Sequence, residues 1–417
     1  MKWYNKLQFT AMILAVAGVA IDWHVGLWMA LGFGGVSVVC LVAQIATQHF
    51  VGNRALHAPM RWGLLAVVVY WLLLLASVLY SKDLSAASDV LVLKATLLIF
   101  PLALLLTDTS WLGSAHMRAL GYTLVLALIG VFLYHIGVAV GKVIDGSKLA
   151  SLLRESAFDG RHHTYTALYL AVALLFVYYE LYTRWRVLPR WWRGLLLAAV
   201  LLLILYTVIV NSRAGMLVLY AIEGFCVLHF AITRRRWGWA LLIAVLLAGY
   251  TVGVEKTLPG HSERVAKTVS DVSSDVRIQI YKNDLDVSKG SPIVGFGAGD
   301  YQQELIDKYE SKGKKYDYNA HNQYFETLLS TGFVGLAVLL FWLFWPLWLA
   351  WQAVRRRRMR GAAFWIVFML TFCVAFNFMF ESMLERQMGL LFVGALLPIM
   401  TLIVNCEQNK FGQLRKK

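Results

Sequence analysis

Long apolar runs with few charges restrict this chain more than any other feature. Twelve such runs can be placed along the 417 residues, and each is close to the roughly 20 residues that a helix needs to cross a bilayer. Apolar residues make up 59% of the chain, more than a soluble protein of this length carries. The sequence therefore predicts an all-α integral membrane protein. The predicted transmembrane helices are 7–22, 25–47, 62–81, 89–107, 118–143, 164–183, 192–210, 214–233, 237–254, 324–351, 361–381 and 387–405.

The positive charge of the chain follows the pattern of a membrane topology signal. A formal charge of +15 would suit a nucleic-acid-binding protein, but the Lys and Arg residues stand in short clusters such as Arg234–Arg236 and Arg355–Arg358. These clusters occupy alternate loops, which is typical of cytoplasmic loops. We therefore expect both termini in the cytoplasm and no nucleic-acid partner.

Two long segments fall on the opposite, extracytoplasmic side, at about 144–163 and 255–322. The second holds ten Lys/Arg and eleven Asp/Glu, so it is nearly neutral. Apolar residues recur every three or four positions from Ser262 to Ile280, and Tyr301, Leu305 and Tyr309 share one face of a second predicted helix at about 300–312. The sequence predicts a small helical periplasmic cap between spans 9 and 10, and three parts: spans 1–9 in 1–254, the cap in 255–322, and spans 10–12 with a cytoplasmic tail in 323–417.

His321 and Asn322 stand at the start of the tenth predicted span. A histidine there can simply cap the helix or lie at the membrane interface. It can also act as a general base, since the partial positive charge of a helix N-terminus disfavours imidazolium and leaves a lone pair that takes a proton. Asn322 could orient the ring or a substrate hydroxyl.

Three arginines are predicted at the same membrane boundary. Arg213 starts the eighth span, Arg161 precedes the sixth, and Arg277 lies in the predicted cap. A single boundary arginine usually extends its charge to the interface. Several of them near one histidine suggest a phosphate or pyrophosphate ligand, because the guanidinium group matches phosphate oxygens and keeps its charge.

Lys94 and Glu223 are charged residues inside predicted spans. Lys94 either serves a function or extends its amine to the outer interface, and Glu223 lies deeper with no assigned role. The stretch GFGAGDY, residues 295–301, follows no predicted strand, so we interpret it as a bend that allows close backbone approach and not as a nucleotide loop. The four cysteines lie in apolar runs or at their ends, and the sequence shows no metal-ligand cluster. We therefore expect no disulfide framework, no metal and no cofactor.

Several motifs together resemble one family. His321-Asn322, nine residues, Gly332, two residues and Gly335 match its His-Asn signature, which resembles the O-antigen ligase and polymerase superfamily, a group that also includes bacterial protein O-oligosaccharyltransferases. SRAGML (212–217) looks like its Ser-Arg-Gly/Ala-Gly element. The stretch 277–299 is similar to its Arg-x-x-x-aromatic and Pro-x-x-Gly-x-Gly-x-Gly elements, with Tyr281 as the aromatic residue. FESMLERQMG (380–389) fits the family's turn between the last two spans.

The resemblance implies a reaction. A glycan on undecaprenyl pyrophosphate would be transferred, on the periplasmic face of the Gram-negative inner membrane, to an acceptor that in ligases is lipid A-core. His321 would be the base, and Arg213, Arg277 and, less directly, Arg161 would bind the pyrophosphate, with Asn322, Lys94 and Tyr281 in support. The chain length and single outer cap favour a ligase. A polymerase, a protein O-oligosaccharyltransferase and, in a different class, a glycolipid flippase or transporter stay open.

Overall fold

The computed structural model describes residues 2–47, 58–144, 163–210, 212–257, 276–311 and 320–414. Within these ranges the secondary structure is helical and has no strand, and twelve helices have the length and apolar composition to cross a membrane. The predicted fold class is confirmed. The candidate spans are Trp3–Ile21, Trp23–Ala46, Pro59–Tyr80, Leu84–Leu106, Ser114–Ile144, His163–Arg184, Arg190–Val210, Arg213–Arg234, Trp237–Thr257, Gln323–Arg355, Gly361–Phe380 and Gln387–Lys410.

The fourth span is not one continuous helix. It consists of Leu84–Ala95, a 3₁₀ turn at Thr96–Leu98, and Ile99–Leu106. Pro101 explains the interruption, because proline has no N–H to donate and its ring displaces the carbonyl four residues earlier, at Leu97. The hydroxyl of Thr96 lies 2.9 Å from the carbonyl oxygen of Leu93 and 3.1 Å from Oε1 of Gln387, and its single proton can be donated to either, so side-chain bonding supports the tightened turn.

The chain forms two compact units. The first comprises Met1–Thr123 and Val276–Lys417, and the second comprises Leu124–Asp275. In the first unit, helix Gln323–Arg355 packs against the third, eleventh and twelfth spans, and the last span is the most buried candidate span of those described. In the second unit, His163–Arg184 is the most buried helix and packs against Arg190–Val210 and Arg213–Arg234. The division at residues 254 and 322 that the sequence suggests stays a prediction.

The segment between the ninth and tenth spans contains two described helices, Val276–Ser288 and Tyr301–Glu310. The second agrees with the helix predicted at 300–312, and Tyr301, Leu305 and Tyr309 are buried in a small apolar cluster as its periodicity requires. Leu329 of the tenth span belongs to the same cluster. The helix predicted over 262–280 falls mostly outside the described residues. The described helices therefore pack directly on the start of the tenth span.

Candidate active site

Asn322 begins the tenth span as its N-terminal cap. Its backbone is extended, and its side-chain oxygen accepts hydrogen bonds from the N–H groups of Tyr324 at 2.9 Å and Phe325 at 3.2 Å. Its amide nitrogen donates to the carbonyl of Met379 at 3.1 Å. Asparagine is among the preferred capping residues because it satisfies N–H groups that the first helical turn leaves open. Asn322 thus starts this helix and also bonds it to the C-terminal end of the eleventh span, Gly361–Phe380.

His321 precedes the cap with an unusual backbone conformation. Its φ of 45° lies in the left-handed region, which non-glycine residues seldom adopt. The side chain is 31% exposed, and its Nδ1 lies 3.8 Å from Oε1 of Glu381, a carboxylate that is almost fully buried. The ring therefore has one edge toward a buried acid and retains a partly accessible surface. This geometry suits a group that exchanges protons.

The turn between the last two spans is held against the start of the tenth span. The hydroxyl of Ser382 accepts from the N–H of Asn322 at 3.2 Å, and the N–H of Leu384 donates to Oε1 of Gln323 at 2.6 Å. Glu381 stands at the first position of this turn, where its N–H donates to the carbonyl of Asn377 at 3.0 Å. Three consecutive residues of the site, His321 to Gln323, therefore face one turn that is distant in sequence.

Lys94 forms a buried ion pair. Its Nζ lies 2.5 Å from Oε1 of Glu326, and the two side chains are 1% and 0% exposed. Gln323 donates to the second oxygen of Glu326 and, at 3.2 Å, to the hydroxyl of Thr327. The side chain of Lys94 is therefore internal, and it does not extend to the membrane interface, which was one of the two interpretations from sequence.

A further acid, Glu385, lies in the same turn. It accepts a hydrogen bond at 2.6 Å from the hydroxyl of Tyr301 in the segment between spans 9 and 10. Burial, together with the neighbouring carboxylate of Glu326, raises the pKa of Glu385 to about 7. The pair links the outer segment to the turn that carries Glu381.

Tyr281 lies over the start of the tenth span. Its hydroxyl donates to the carbonyl of Met379 at 2.5 Å and lies 3.4 Å from the carbonyl oxygen of His321. Its ring stands 5.6 Å from that of Phe325. Arg277 is the second residue of the same helix, Val276–Ser288, one turn before Tyr281. The Arg-x-x-x-aromatic element thus places its aromatic residue on the backbone next to His321.

The glycine-rich stretch, residues 292–297, forms backbone hydrogen bonds to the tenth span on both sides of a break in that helix. We call this bonded stretch the clasp. Gly332 has φ 65° and ψ −164°, which interrupts the helix. Four backbone hydrogen bonds then join the stretch to the helix: Phe296 N–H to Leu329 O at 2.7 Å, Gly297 N–H to Ser330 O at 3.0 Å, Phe333 N–H to Pro292 O at 2.8 Å, and Val334 N–H to Ile293 O at 3.3 Å. They satisfy groups that a broken helix would leave open within a membrane.

Glycine is required at both sides of this clasp. A Cβ on Gly332 would lie 2.2 Å from the carbonyl oxygen of Ile293, and one on Gly295 would lie 2.6 Å from that of Leu329. Gly295 and Gly297 also have positive φ. The interpretation of GFGAGDY as a close backbone approach is confirmed, and the partner is the tenth span.

One comparison with known proteins assigns this region. Residues 198–340 match the family model described as O-antigen ligase. Over these residues the chain is similar to the O-antigen ligase family. The match covers about a third of the chain and includes Arg213, Arg277, Tyr281, His321 and Gly332, and it supports the resemblance drawn from the motifs. The family acts on lipid-linked glycans. No curated protein matched the chain.

The Ser-Arg-Ala-Gly element of the matched segment starts the eighth span. Ser212 is the cap, and its hydroxyl accepts from the N–H of Gly215 at 3.3 Å. A Cβ on Gly215 would lie 2.4 Å from that of Ala167, so glycine allows close helix packing within the second unit. Arg213 is exposed at the first helical position. Its role in pyrophosphate binding stays a prediction, and Arg161 lies outside the described residues.

Sequence reasoning missed three acids of this site: Glu326, Glu381 and Glu385. A lysine inside a span did signal that an acid should lie opposite it. Glu326 is 232 residues away along the chain, and several other acids also lie in or beside apolar runs, Glu223 among them. Glu223 instead accepts a bond at 3.3 Å from Thr251 in the second unit.

Proposed function

We propose that this chain is an O-antigen ligase, which transfers O-antigen glycan from undecaprenyl pyrophosphate to lipid A-core on the periplasmic face of the Gram-negative inner membrane. The observation that carries the proposal is His321, a partly exposed imidazole that lies inside the family-matched segment and 3.8 Å from a buried carboxylate. The start of a membrane-spanning helix is a suitable level for lipid-linked substrates, since their lipid tails stay in the bilayer.

The chemistry requires a base on the acceptor side. A sugar hydroxyl is a weak nucleophile, and His321 would take its proton while the oxygen attacks the anomeric carbon. The bond from that carbon to the pyrophosphate breaks, and the leaving group keeps the electron pair. One base and no covalent intermediate predict inversion at the anomeric carbon.

The leaving group needs positive charge more than it needs a proton. Arg213 and Arg277, with Arg161 as a third, would stabilise the pyrophosphate by charge-assisted hydrogen bonds. Because pyrophosphate is already a stable anion, the reaction requires no metal ion. Asn322 and Tyr281 support the site by holding the backbone around His321, and Lys94 supports it from below through Glu326.

The test is glycan transfer by the purified protein in detergent. The donor is an undecaprenyl-pyrophosphate glycan, the acceptor is lipid A-core, and a chelator is present. We expect a slower-migrating lipid A-core product with the native protein and loss of that product in His321→Ala. His24→Ala is a matched control, since His24 also lies in the first turn of a candidate span and is exposed.

Other products identify the alternatives. Elongated lipid-linked glycan without modified lipid A-core would indicate a polymerase, and glycan on an acceptor protein would indicate a protein O-oligosaccharyltransferase. Movement of the donor lipid across vesicles that His321→Ala leaves intact would indicate a flippase. Any of these results would overturn the ligase proposal.

A further inference from the structure

The tenth candidate span is longer than a bilayer requires. Gln323–Arg355 has 33 residues, or about 50 Å of helix, against a hydrocarbon core of about 30 Å. The part after the break at Gly332 is about 34 Å long and crosses that core by itself. From Phe333 to Ala350 this part has no charged, amide or hydroxyl side chain, and it ends at the arginines 355–358. The other edge of the hydrocarbon therefore lies close to Gly332.

The polar side chains of the same helix agree with this division. They lie before the break and are buried within the protein: Gln323, Glu326, Thr327, Ser330 and Thr331. A helix surrounded by lipid along this stretch would have no use for such residues, because polar groups are costly to bury in hydrocarbon. The first nine residues of the helix are thus a protein-covered extension of the span.

The clasp lies at the level of the break. The carbonyl of Ile293 accepts from the N–H of Val334 at 3.3 Å, two residues after Gly332. The carbonyl of Val294 accepts from the hydroxyl of Tyr80 at 2.6 Å, and Tyr80 is the last residue of the third candidate span. Tyrosine is enriched where a span meets the membrane–water interface. The clasp therefore sits between two spans at the level where both leave the hydrocarbon.

Three consecutive apolar residues of the clasp are exposed. They are Pro292, Ile293 and Val294, and the last two are 66% and 49% exposed. A run of exposed apolar residues outside a span indicates a partner. Leu79 of the third span and Phe333 of the tenth, which directly precede Tyr80 and Val334, are exposed large apolar residues as well. The patch is therefore continuous with the lipid-facing surface of two spans.

The backbone of the clasp meets the requirement for a layer without water. Each carbonyl from Pro292 to Gly295 accepts a hydrogen bond, the last one from the hydroxyl of Ser291 at 2.6 Å. The N–H groups from Gly295 to Ala298 donate in turn to Ser291 O, Leu329 O, Ser330 O and Ser77 Oγ. Non-helical backbone is tolerated at membrane depth only where the protein satisfies its polar groups in this way.

We infer that Pro292, Ile293 and Val294 insert into the adjacent leaflet of the bilayer and anchor the segment between spans 9 and 10 to the membrane, with lipid hydrocarbon as their partner. The inference goes beyond the proposed function and does not depend on it. Because the clasp bonds to the tenth span on both sides of Gly332, the anchor also sets the level of the helix. Asn322 lies ten residues before Gly332, so the start of this helix stands within about 15 Å of the hydrocarbon edge.

The test is the depth of a spin label in purified protein, reconstituted in vesicles of phosphatidylethanolamine and phosphatidylglycerol. Ile293→Cys carries the nitroxide in a Cys226→Ala background, where the other native cysteines are buried. Power saturation compares relaxation by oxygen, which concentrates in hydrocarbon, with relaxation by a water-soluble nickel chelate. We expect strong relaxation by oxygen and loss of relaxation by nickel at residue 293.

Gln303→Cys is the matched control in the same segment. Gln303 shares a helix face with Asp307 and Glu310, and all three are exposed. Its label should relax with nickel, as expected in water. Val294→Cys gives a second label in the clasp, which decides the question if Ile293→Cys melts at a lower temperature than the parent.

Two results would overturn the inference. Nickel access at residues 293 and 294 equal to that at 303 would place the clasp in water. Protection from both oxygen and nickel would mean that protein covers the patch, and spin–spin broadening between labels would identify that protein as a second copy of this chain.

Discussion

Removal of the Lys94 amine should destabilise the first unit strongly, because it leaves Glu326 as a buried carboxylate without its cation. The pair has an Nζ–Oε1 distance of 2.5 Å, and neither side chain has more than 1% exposure. Breaking a buried ion pair by removing one partner costs about 3–5 kcal/mol. Lys94→Met keeps most of the side-chain volume, so the decrease in the free energy of unfolding reflects the missing charge more than a change in packing.

A double variant isolates the pair. Lys94→Met/Glu326→Gln removes both charges, and the new amide can still accept from Gln323, which donates to Glu326 in the native protein. Replacement of both charges is often nearly neutral, so we expect the double variant to regain about 2 kcal/mol or more of the single variant's loss. Lys82→Met is the control, since Lys82 is exposed.

The assay is thermal unfolding in detergent with a thiol-reactive fluorophore. Cys40, Cys373 and Cys406 are free and buried in the folded chain, so the dye reacts as the unit unfolds. A loss of 3–5 kcal/mol corresponds to a decrease in Tm on the order of 5–10 °C for a unit of this size. Native-like melting of Lys94→Met, or a double variant less stable than the single one, would refute the reasoning. Loss of transfer at unchanged Tm would instead place Lys94 in contact with substrate.

Three further predictions concern the segment between spans 9 and 10 and its clasp. Asp284 is buried with both carboxylate oxygens lacking a hydrogen-bond partner among the described residues, and burial raises its pKa to about 8. The folded protein therefore holds a proton that the unfolded chain loses above about pH 4, so stability should fall by about 1.4 kcal/mol per pH unit from there to the folded pKa. Asp284→Asn should remove that slope in melting curves taken across pH, and an identical slope in the variant would contradict it. Gly332→Ala should lower the stability by at least about 2 kcal/mol, because of backbone strain and the contact of its Cβ with Ile293. Gly35→Ala is the control, since a Cβ there meets open space, and it should melt like the native protein. Equal melting of both variants would refute the clasp. Asp300→Asn should cost about 1–2 kcal/mol, because the Asp300 carboxylate accepts from the N–H groups of Lys82 at 2.8 Å and Asp83 at 3.0 Å, and an unchanged Tm would argue against that bond pair.

The spans could be located from sequence because their cause is local. Hydropathy and length depend only on residues within one run, and the twelve predicted runs agree with the helices to within a few residues at most ends. The same holds for helix Tyr301–Glu310, whose buried face follows from the spacing of two tyrosines and a leucine. The break at Gly332 was also predictable, since a glycine in an apolar helix of a membrane protein is a site of bending or close packing.

The fourth span has a feature that its local hydropathy pattern does not predict. Its hydropathy is continuous, yet Pro101 and Thr96 divide it into two helices and a 3₁₀ turn. The consequence is a 3₁₀ turn that begins two residues after Lys94. Hydropathy sums over residues and is insensitive to a single missing N–H.

The sequence by itself determined the all-helical membrane class and the positions of the spans. It also identified the histidine and asparagine at the start of the tenth span as the candidate active site. Only the tertiary structure decided that Lys94 pairs with Glu326, that Glu381 lies beside His321, and that the glycine-rich stretch closes a break at Gly332. The reason is that the energy of a buried charge or an open backbone group depends on which partner reaches it in space. Those partners lie tens to hundreds of residues away, and no local pattern specifies the choice among them.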